Sequence, residues 1–153
     1  MKLFVATAFI SLLAVPAFAE GDIAKGEKAF KKCKACHSVI DAAGEAIVKG
    51  GKTGPNLWGL PGRAAGSAEG FKYGKDIVAA GEGGLVWNEE SFTAFVTDPK
   101  AYLREATGNG KAKSKMSFKL KKGGEDIYAF LASVSPAPVA EETEEAAEEP
   151  VSN

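Results

Sequence analysis

The chain has 153 residues and a formal net charge of −1 at pH 7, and 45% of its residues are hydrophobic. It contains two cysteines and one histidine, so a zinc site with four cysteine and histidine ligands is excluded. After an apolar run at the N-terminus, no second stretch is apolar for long enough to cross a membrane, which excludes a protein with several membrane spans.

Residues 1–19 have the pattern of a secretory signal peptide. Met1 and Lys2 precede an apolar run over residues 3–15, and Ala17-Phe18-Ala19 resembles a cleavage site. The alternative is an uncleaved membrane helix, which needs a longer apolar stretch of about 18 residues or more. We therefore expect cleavage after Ala19 and a soluble periplasmic product.

The first predicted element of the mature chain is an amphipathic helix. Ile23, Gly26, Phe30 and Cys33 follow the spacing i, i+3, i+7 and i+10, and Asp22 before them is a candidate N-cap. This spacing places the cysteines near the end of the helix.

The middle of the chain is rich in glycine, with 12 of the 18 glycines between Gly44 and Gly84. Long connections without secondary structure are uncommon in compact domains. A large apolar cofactor would explain the stretch, because the loop could pack on the cofactor.

Further helices are predicted towards the C-terminus. Asn88 can cap a helix that Asp98-Pro99 ends, and a short helix follows through Leu103. A last helix ends before Pro136. Because no convincing alternating strand pattern appears, we predict one all-α domain over residues 20–136. The apolar positions of the capped helix and of the last helix are Phe92, Phe95, Val96, Ile127, Phe130, Leu131 and Val134.

Residues 137–153 form a separate segment with six glutamates, no lysine and no aromatic residue. Such a composition predicts disorder, since little apolar surface can be buried. Without this tail and the signal peptide, the body has 18 basic and 14 acidic residues, a net charge of +4.

Cys33, Cys36 and His37 form a Cys-x-x-Cys-His motif that could serve three chemistries. Structural zinc needs a fourth ligand. A dithiol oxidoreductase suits an oxidising compartment, but it normally accompanies a βαβ pattern, which is absent. Attachment of a c-type haem needs only two thioether bonds and one imidazole under the iron. The signal peptide and the glycine-rich loop favour haem.

Met116 is the candidate for the second axial ligand of the iron. It is the only methionine after the signal peptide, and no second histidine exists. A buried methionine is usually core filler, but Met116 lies among lysines rather than in an apolar stripe. A thioether ligand favours ferrous iron, and two filled axial positions favour electron transfer over catalysis.

These residues and several further motifs together resemble class I cytochromes c, most closely the bacterial periplasmic branch similar to mitochondrial cytochrome c. The likeness extends over residues 21–135. It implies the cytochrome c fold, with short helices and long loops around one covalent haem c per chain. The matching positions are Gly26, Phe30, CKACH at 33–37, KTGPNLWGLPGR at 52–63, GFKY at 70–73, Trp87, DPK at 98–100, KMSF at 115–118 and Phe130.

The resemblance also implies residue roles. The carbonyl of Pro55 would accept the Nδ1 proton of His37, and Arg63, Tyr73 and Trp87 would contact the haem propionates. Ser114 stands where a threonine often reaches a propionate. Phe95 stands where many members have a tyrosine near the axial sulfur, so that hydroxyl is missing here.

The expected function is a periplasmic electron carrier and not an enzyme. A haem enzyme or ligand sensor with a displaceable Met116 is the alternative. The family implies membrane redox complexes as partners: a quinol-oxidising bc complex, a terminal oxidase, a reaction centre or a periplasmic dehydrogenase. Basic residues flanking the two motifs, here called the lysine rim, would steer acidic partners. The rim comprises Lys31, Lys32, Lys34, Lys111, Lys113, Lys115, Lys119, Lys121 and Lys122.

Overall fold

Five α-helices and one short hairpin make up the part of the chain that the computed structural model describes, residues 21–136. The predicted signal peptide, 1–19, and the predicted acidic tail, 137–153, lie outside the described residues, so both domain boundaries stay predictions. Within 21–136, no helix has the length and apolar character needed to span a bilayer. The elements are α1 Ile23–Ala29, a 3₁₀ turn Phe30–Lys32, β1 Val39–Ile40, β2 Ala46–Val48, α2 Lys75–Glu82, α3 Glu89–Thr97, α4 Pro99–Ala106 and α5 Gly124–Val134.

The first and last helices cross closely. A Cβ atom on Gly26 would lie 1.9 Å from the carbonyl oxygen of Asp126, so only glycine fits at this point of α1. The rings of Phe30 and Phe130 meet beside the crossing, with centroids 5.5 Å apart. Gly26, Phe30 and Phe130, three of the positions that match the family, thus meet where the first and last helices cross.

Three side chains begin helices at the predicted places. Asp22, Asn88 and Asp98 each accept a backbone N–H from the first turn of the following helix, which replaces a hydrogen bond that the helix itself cannot make. Pro99 is the first residue of α4, where its missing N–H costs nothing. The predicted helices α3, α4 and α5 are confirmed.

The structure differs from the sequence predictions in three local features. A two-stranded antiparallel hairpin, β1 with β2, was not predicted, because strands of two and three residues are too short for an alternating pattern. Helix α2 was not predicted either: Gly74 precedes it and provides no side-chain cap. Helix α1 ends at Ala29 and continues as a 3₁₀ turn to Lys32, so the cysteines, predicted near the end of the helix, lie in turns just beyond it. The all-α class is confirmed, with this small hairpin as the only sheet among the described residues.

The core lies between α1, α3 and α5 and continues under the glycine-rich loop. Backbone pairing holds that loop to the start of α3, since Gly62 donates to the Trp87 carbonyl at 2.9 Å and Trp87 donates to the Arg63 carbonyl at 3.0 Å. The loop is thereby fixed over one side of the core. The large side chains buried there include Phe30, Leu57, Leu60, Trp87, Phe92, Phe95, Leu103, Ile127 and Leu131.

Candidate functional site

The predicted site residues converge on one cavity of about 350 Å³, which falls within the range of small-molecule and cofactor pockets, roughly 300–1,000 Å³. Its wall is mostly apolar, with the polar site residues distributed around it. All nine residues that the sequence singled out line it: Cys33, Cys36, His37, Pro55, Arg63, Tyr73, Trp87, Ser114 and Met116.

The two cysteines project from consecutive turns behind the 3₁₀ turn. The amides of Cys36 and His37 both donate to the Cys33 carbonyl at 3.0 Å, which holds the three residues together at one edge of the cavity. Cys33 is partly buried and Cys36 is exposed. Burial raises the pKa of the Cys33 thiol to about 11. A redox dithiol needs a lowered cysteine pKa, so this environment argues against that alternative.

The His37 ring is oriented by a backbone carbonyl. Its Nδ1–H donates to the Pro55 carbonyl oxygen at 2.9 Å, and because a carbonyl can only accept, the proton lies on Nδ1. The Nε2 lone pair is then free to bind a metal. Burial lowers the pKa of His37, against the effect of this hydrogen bond, and so favours the neutral ring that ligation requires.

The backbone of Gly54 packs directly on the face of His37. A Cβ atom at this position would lie 2.3 Å from Cε1 of the ring and 2.6 Å from Nδ1. The neighbouring chain is equally close, since a Cβ atom on Gly50 would lie 1.9 Å from the His37 carbonyl oxygen. Part of the unusual glycine content of the loop therefore allows its backbone to approach one residue, His37, at the ring and at the backbone.

Met116 lies in the loop between α4 and α5, partly buried against the core. Its amide donates to Ser114 Oγ at 3.1 Å, so the serine hydroxyl shapes the turn that contains the methionine. Phe95 lines the same cavity and packs edge-on against Trp87, with centroids 5.1 Å apart. The wall contributed by Phe95 is apolar, as its replacement of tyrosine implies.

Arg63 shows that the cavity suits an anionic group. Its Nη1 and Nη2 atoms donate to the carbonyls of Trp58 and Asn56 at 3.0 and 3.2 Å, but its buried Nε has no partner. Burial also lowers the pKa of Arg63. A carboxylate on a bound group would satisfy this donor and stabilise the charge. The propionates and the apolar ring of a haem therefore fit the residues present.

Three members of the lysine rim, Lys32, Lys113 and Lys115, line the cavity. Among the described residues that form its wall, none is a carboxylate. Lys119 instead pairs with Asp98, and this contact lowers the pKa of the aspartate. The positive side of the cavity thus consists of a subset of the lysines that flank the two motifs.

Several residues of the wall were not predicted as site residues. Leu57, Ile77 and Leu103 supply apolar surface, and Phe71 packs edge-on against Tyr73 at 4.8 Å. The helical spacing of α3 predicted Phe92 and Val96 as inward-facing, but a pattern cannot tell the core from a cofactor wall. Gly54 lay inside a recognised motif, and its contact with His37 needs the folded structure.

Comparisons with known proteins agree with this geometry. Cytochrome c-551 of Roseobacter denitrificans is 63% identical over 122 residues, which cover 80% of this chain and 87% of that protein. Cytochrome c2 of Rhodobacter capsulatus is 55% identical over 134 residues, which cover 88% and 97%. Ferric cytochrome c-550 from Paracoccus versutus has a similar X-ray structure, with a TM-score of 0.74 and 56% identity over 76% of this chain and 100% of that chain.

No protein-family model matches the chain. The two relatives nevertheless align over most of this chain and most of their own length, and the whole of the similar structure aligns with 76% of this chain. The resemblance inferred from the motifs is confirmed: the chain belongs to the class I bacterial c-type cytochromes.

Proposed function

We propose that the chain is a periplasmic electron carrier whose single haem c is held in the described cavity. Members of the family carry one covalently attached haem c. The observation that carries the assignment is the meeting of Cys33, Cys36, His37 and Met116 on one apolar cavity, although Met116 is about 80 residues away in the sequence.

Each of these four side chains has its own role in the proposal. Cys33 and Cys36 form the thioether bonds, His37 binds iron through Nε2, and Met116 binds it through sulfur. When bound, haem supplies an iron that alternates between the ferric and ferrous states. The chain contributes the ligands, the apolar wall and the exclusion of water.

The surrounding polar residues orient this arrangement. Pro55 fixes the tautomer of His37, and Arg63, Tyr73 and Trp87 receive the propionates, with Ser114 as a further donor. The unpaired Arg63 Nε supports this role. Tyr73 and Arg63 line the same cavity, where burial raises the pKa of the phenol and the Arg63 charge lowers it.

The proposal assigns the chain no catalytic reaction. His37 and Met116 would both bind the iron, which would leave no coordination site for oxygen, peroxide or another substrate. A haem enzyme or ligand sensor would instead require Met116 to leave the iron. Carbon monoxide separates the two functions, because it binds ferrous haem only at an open or displaceable position.

The proposed partners are membrane redox complexes: a quinol-oxidising bc complex, a terminal oxidase, a reaction centre or a periplasmic dehydrogenase. The carboxylate-free wall and the lysines at its edge support an acidic docking surface on the partner. The predicted signal peptide supports the periplasm as the compartment where they meet.

The experiment is a spectroscopic titration of the purified protein. We expect reversible oxidation and reduction by one electron, with little change in the ferrous spectrum under carbon monoxide. A stoichiometric carbon monoxide complex formed at neutral pH would contradict the carrier assignment and favour the sensor.

A further inference from the structure

Asp76 is a buried carboxylate to which no role has so far been given. It is the second residue of α2 and only 8% exposed. Its Oδ2 accepts the backbone N–H of Lys113 at 3.0 Å, across 37 positions of sequence. Burying an ionisable side chain is unfavourable unless it is hydrogen-bonded, and the Lys113 amide supplies the hydrogen bond that this carboxylate needs.

The hydrogen bond closes one end of the segment that contains Met116. At the other end, the Leu120 amide donates to the Val96 carbonyl at 2.7 Å. Both ends of the segment are buried, since Ala112 next to Lys113 is 0% exposed and Leu120 is 4% exposed. Residues 113–119 between these points are mostly exposed, and only Ser114 and Met116 are partly buried. Hydrogen bonds at both ends of the segment thus help to determine where the methionine lies.

The residues just before α2 contact the segment at two further points. Lys115 Nζ donates to the Lys72 carbonyl at 2.8 Å. The stem of Lys115 also passes Gly74, where a Cβ atom would lie 3.5 Å from the lysine Cγ. Residues 72–76 therefore support the segment from one side, but the lysine contact is exposed and weak. The Asp76 hydrogen bond is part-buried, and its carboxylate belongs to a buried residue.

A carboxylate is well suited to this position. The N-terminus of a helix favours negative charge, and Asp76 is in the first turn of α2. A hydrogen bond from a backbone N–H to an ionised carboxylate is stronger than one between neutral groups. The neighbouring residue, Ile77, lines the cavity, so Asp76 connects the cavity wall to the methionine segment.

We propose that Asp76 is a positioning residue, which fixes Met116 at the iron by holding the Lys113 amide. The inference rests on the proposed function, because it requires Met116 to be the axial ligand. Without the carboxylate, the Lys113 end of the segment would be held only by the hydrogen bond from Arg104 to the Ala112 carbonyl and by the exposed Lys115 contact, and external ligands would compete more easily with the thioether.

Two measurements test the proposal on the full-length haem protein. The first is the binding of imidazole to the ferric form, for Asp76→Ala, Asp76→Asn and the wild type. Loss of a hydrogen bond to a charged group predicts roughly tenfold tighter imidazole binding in Asp76→Ala. Asp76→Asn should recover much of the difference, since its amide oxygen can still accept. Asp22→Ala is the matched control, because it removes a carboxylate that accepts a backbone N–H far along the chain from Met116.

A double variant separates positioning from general loosening. Met116→Ala alone should bind imidazole much more tightly, and adding Asp76→Ala should change nothing further. If Met116→Ala leaves imidazole affinity unchanged, the proposed ligation itself fails. If Met116→Ala raises the affinity and Asp76→Ala does not, only the positioning role fails.

The second measurement is amide hydrogen exchange in the wild type, which needs no variant to fold. The Lys113 amide should exchange about tenfold more slowly than the Ser117 amide, which lies four residues later in the same segment. Equal exchange at Lys113 and Ser117 would overturn the proposal.

Discussion

The cavity and a groove along α3 and α4 differ in the sign of their charge. Arg63 and three lysines line the cavity, whereas the described residues of the groove include no lysine or arginine. One tyrosine in each region reports the difference. Burial raises the pKa of both, but the Arg63 charge lowers that of Tyr73, while carboxylates raise that of Tyr102 further. The acidic groove is lined by Glu89, Glu90, Asp98, Glu105 and Glu125.

This difference shows that the charge is divided between surfaces rather than spread evenly. The two regions share no lining residue. Lys119, a member of the rim that does not line the cavity, pairs with Asp98 of the groove. Under the proposed function, this division would favour the approach of an acidic partner to the cavity. The following predictions either break this division or measure it.

The largest effect should come from replacing Met116, the proposed iron ligand in the cavity, and should appear in the reduction potential. Met116→Ala leaves both cysteines in place, so we expect haem to stay attached. The potential should fall by on the order of 100 mV, since axial ligands set haem potentials over about 0.8 V. Thr97→Ala, an exposed position in the groove, is the control and should leave the potential unchanged. Potentiometry measures both, and an unchanged potential in Met116→Ala would mean that another ligand is bound.

The next effect concerns the glycine beneath the histidine. In Gly54→Ala the new Cβ would overlap the His37 ring, so we expect the free energy of unfolding to fall by about 1–3 kcal/mol. Gly110→Ala meets no atom within 4 Å and should change it by less than about 0.5 kcal/mol. Guanidinium unfolding followed by circular dichroism compares the two. Equal stabilities would show that the ring does not need the glycine.

Charge reversal on the two surfaces should affect rates unequally. Lys32→Glu changes the edge of the cavity and Glu105→Lys the groove, and both side chains are exposed. With an acidic redox partner we expect Lys32→Glu to slow the bimolecular reaction several-fold at low salt. We expect Glu105→Lys, the change in the groove, to have the smaller effect on the rate. Near physiological salt, where the Debye length is about 8 Å, this smaller effect should disappear before that of Lys32→Glu. Stopped-flow rates across a salt series test this, and identical salt slopes would refute the role of the lysine rim.

The smallest effect on the folded domain should follow deletion of residues 137–153. The deletion removes six glutamates and no proposed ligand. We expect the spectrum and the stability to stay the same, and the reaction with an acidic partner to quicken at low salt, because the remaining body has a net charge of +4. The difference should shrink at physiological salt. If the deletion changed the spectrum, the tail would have a structural role, which the charge argument does not predict.

The sequence reveals those parts of the fold that depend on neighbouring residues. Asn88 and Asp98-Pro99 mark helix ends because capping acts within one turn. Cys33, Cys36 and His37 are likewise readable, since the chemistry of haem attachment fixes their spacing. Helix α2 escaped prediction because Gly74 gives no capping signal before it.

Contacts across the chain lie beyond a pattern of neighbours. Met116 could be predicted from the sequence because it is the only methionine after the signal peptide. The hydrogen bond from the Lys113 amide to Asp76 could not, because it joins residues 37 positions apart that no sequence pattern connects. Gly54 was part of a motif, yet its reason, the ring of His37 against its backbone, appears only in the folded chain. The sequence predicts only the lysine side of the charge division. The acidic groove is not predicted, because its carboxylates come together only when α3 and α4 pack in the folded chain.

The most direct test of the central claim is mass spectrometry of the purified, reduced and denatured protein after cleavage at acidic residues. The account predicts that the peptide between Glu27 and Asp41, which contains both cysteines and His37, has the mass of the peptide plus one haem. The mass should persist after extraction with acidified acetone, which removes haem that is not covalently bound. A peptide of unmodified mass, with two free thiols, would contradict the assignment of the cavity and of the chain's function.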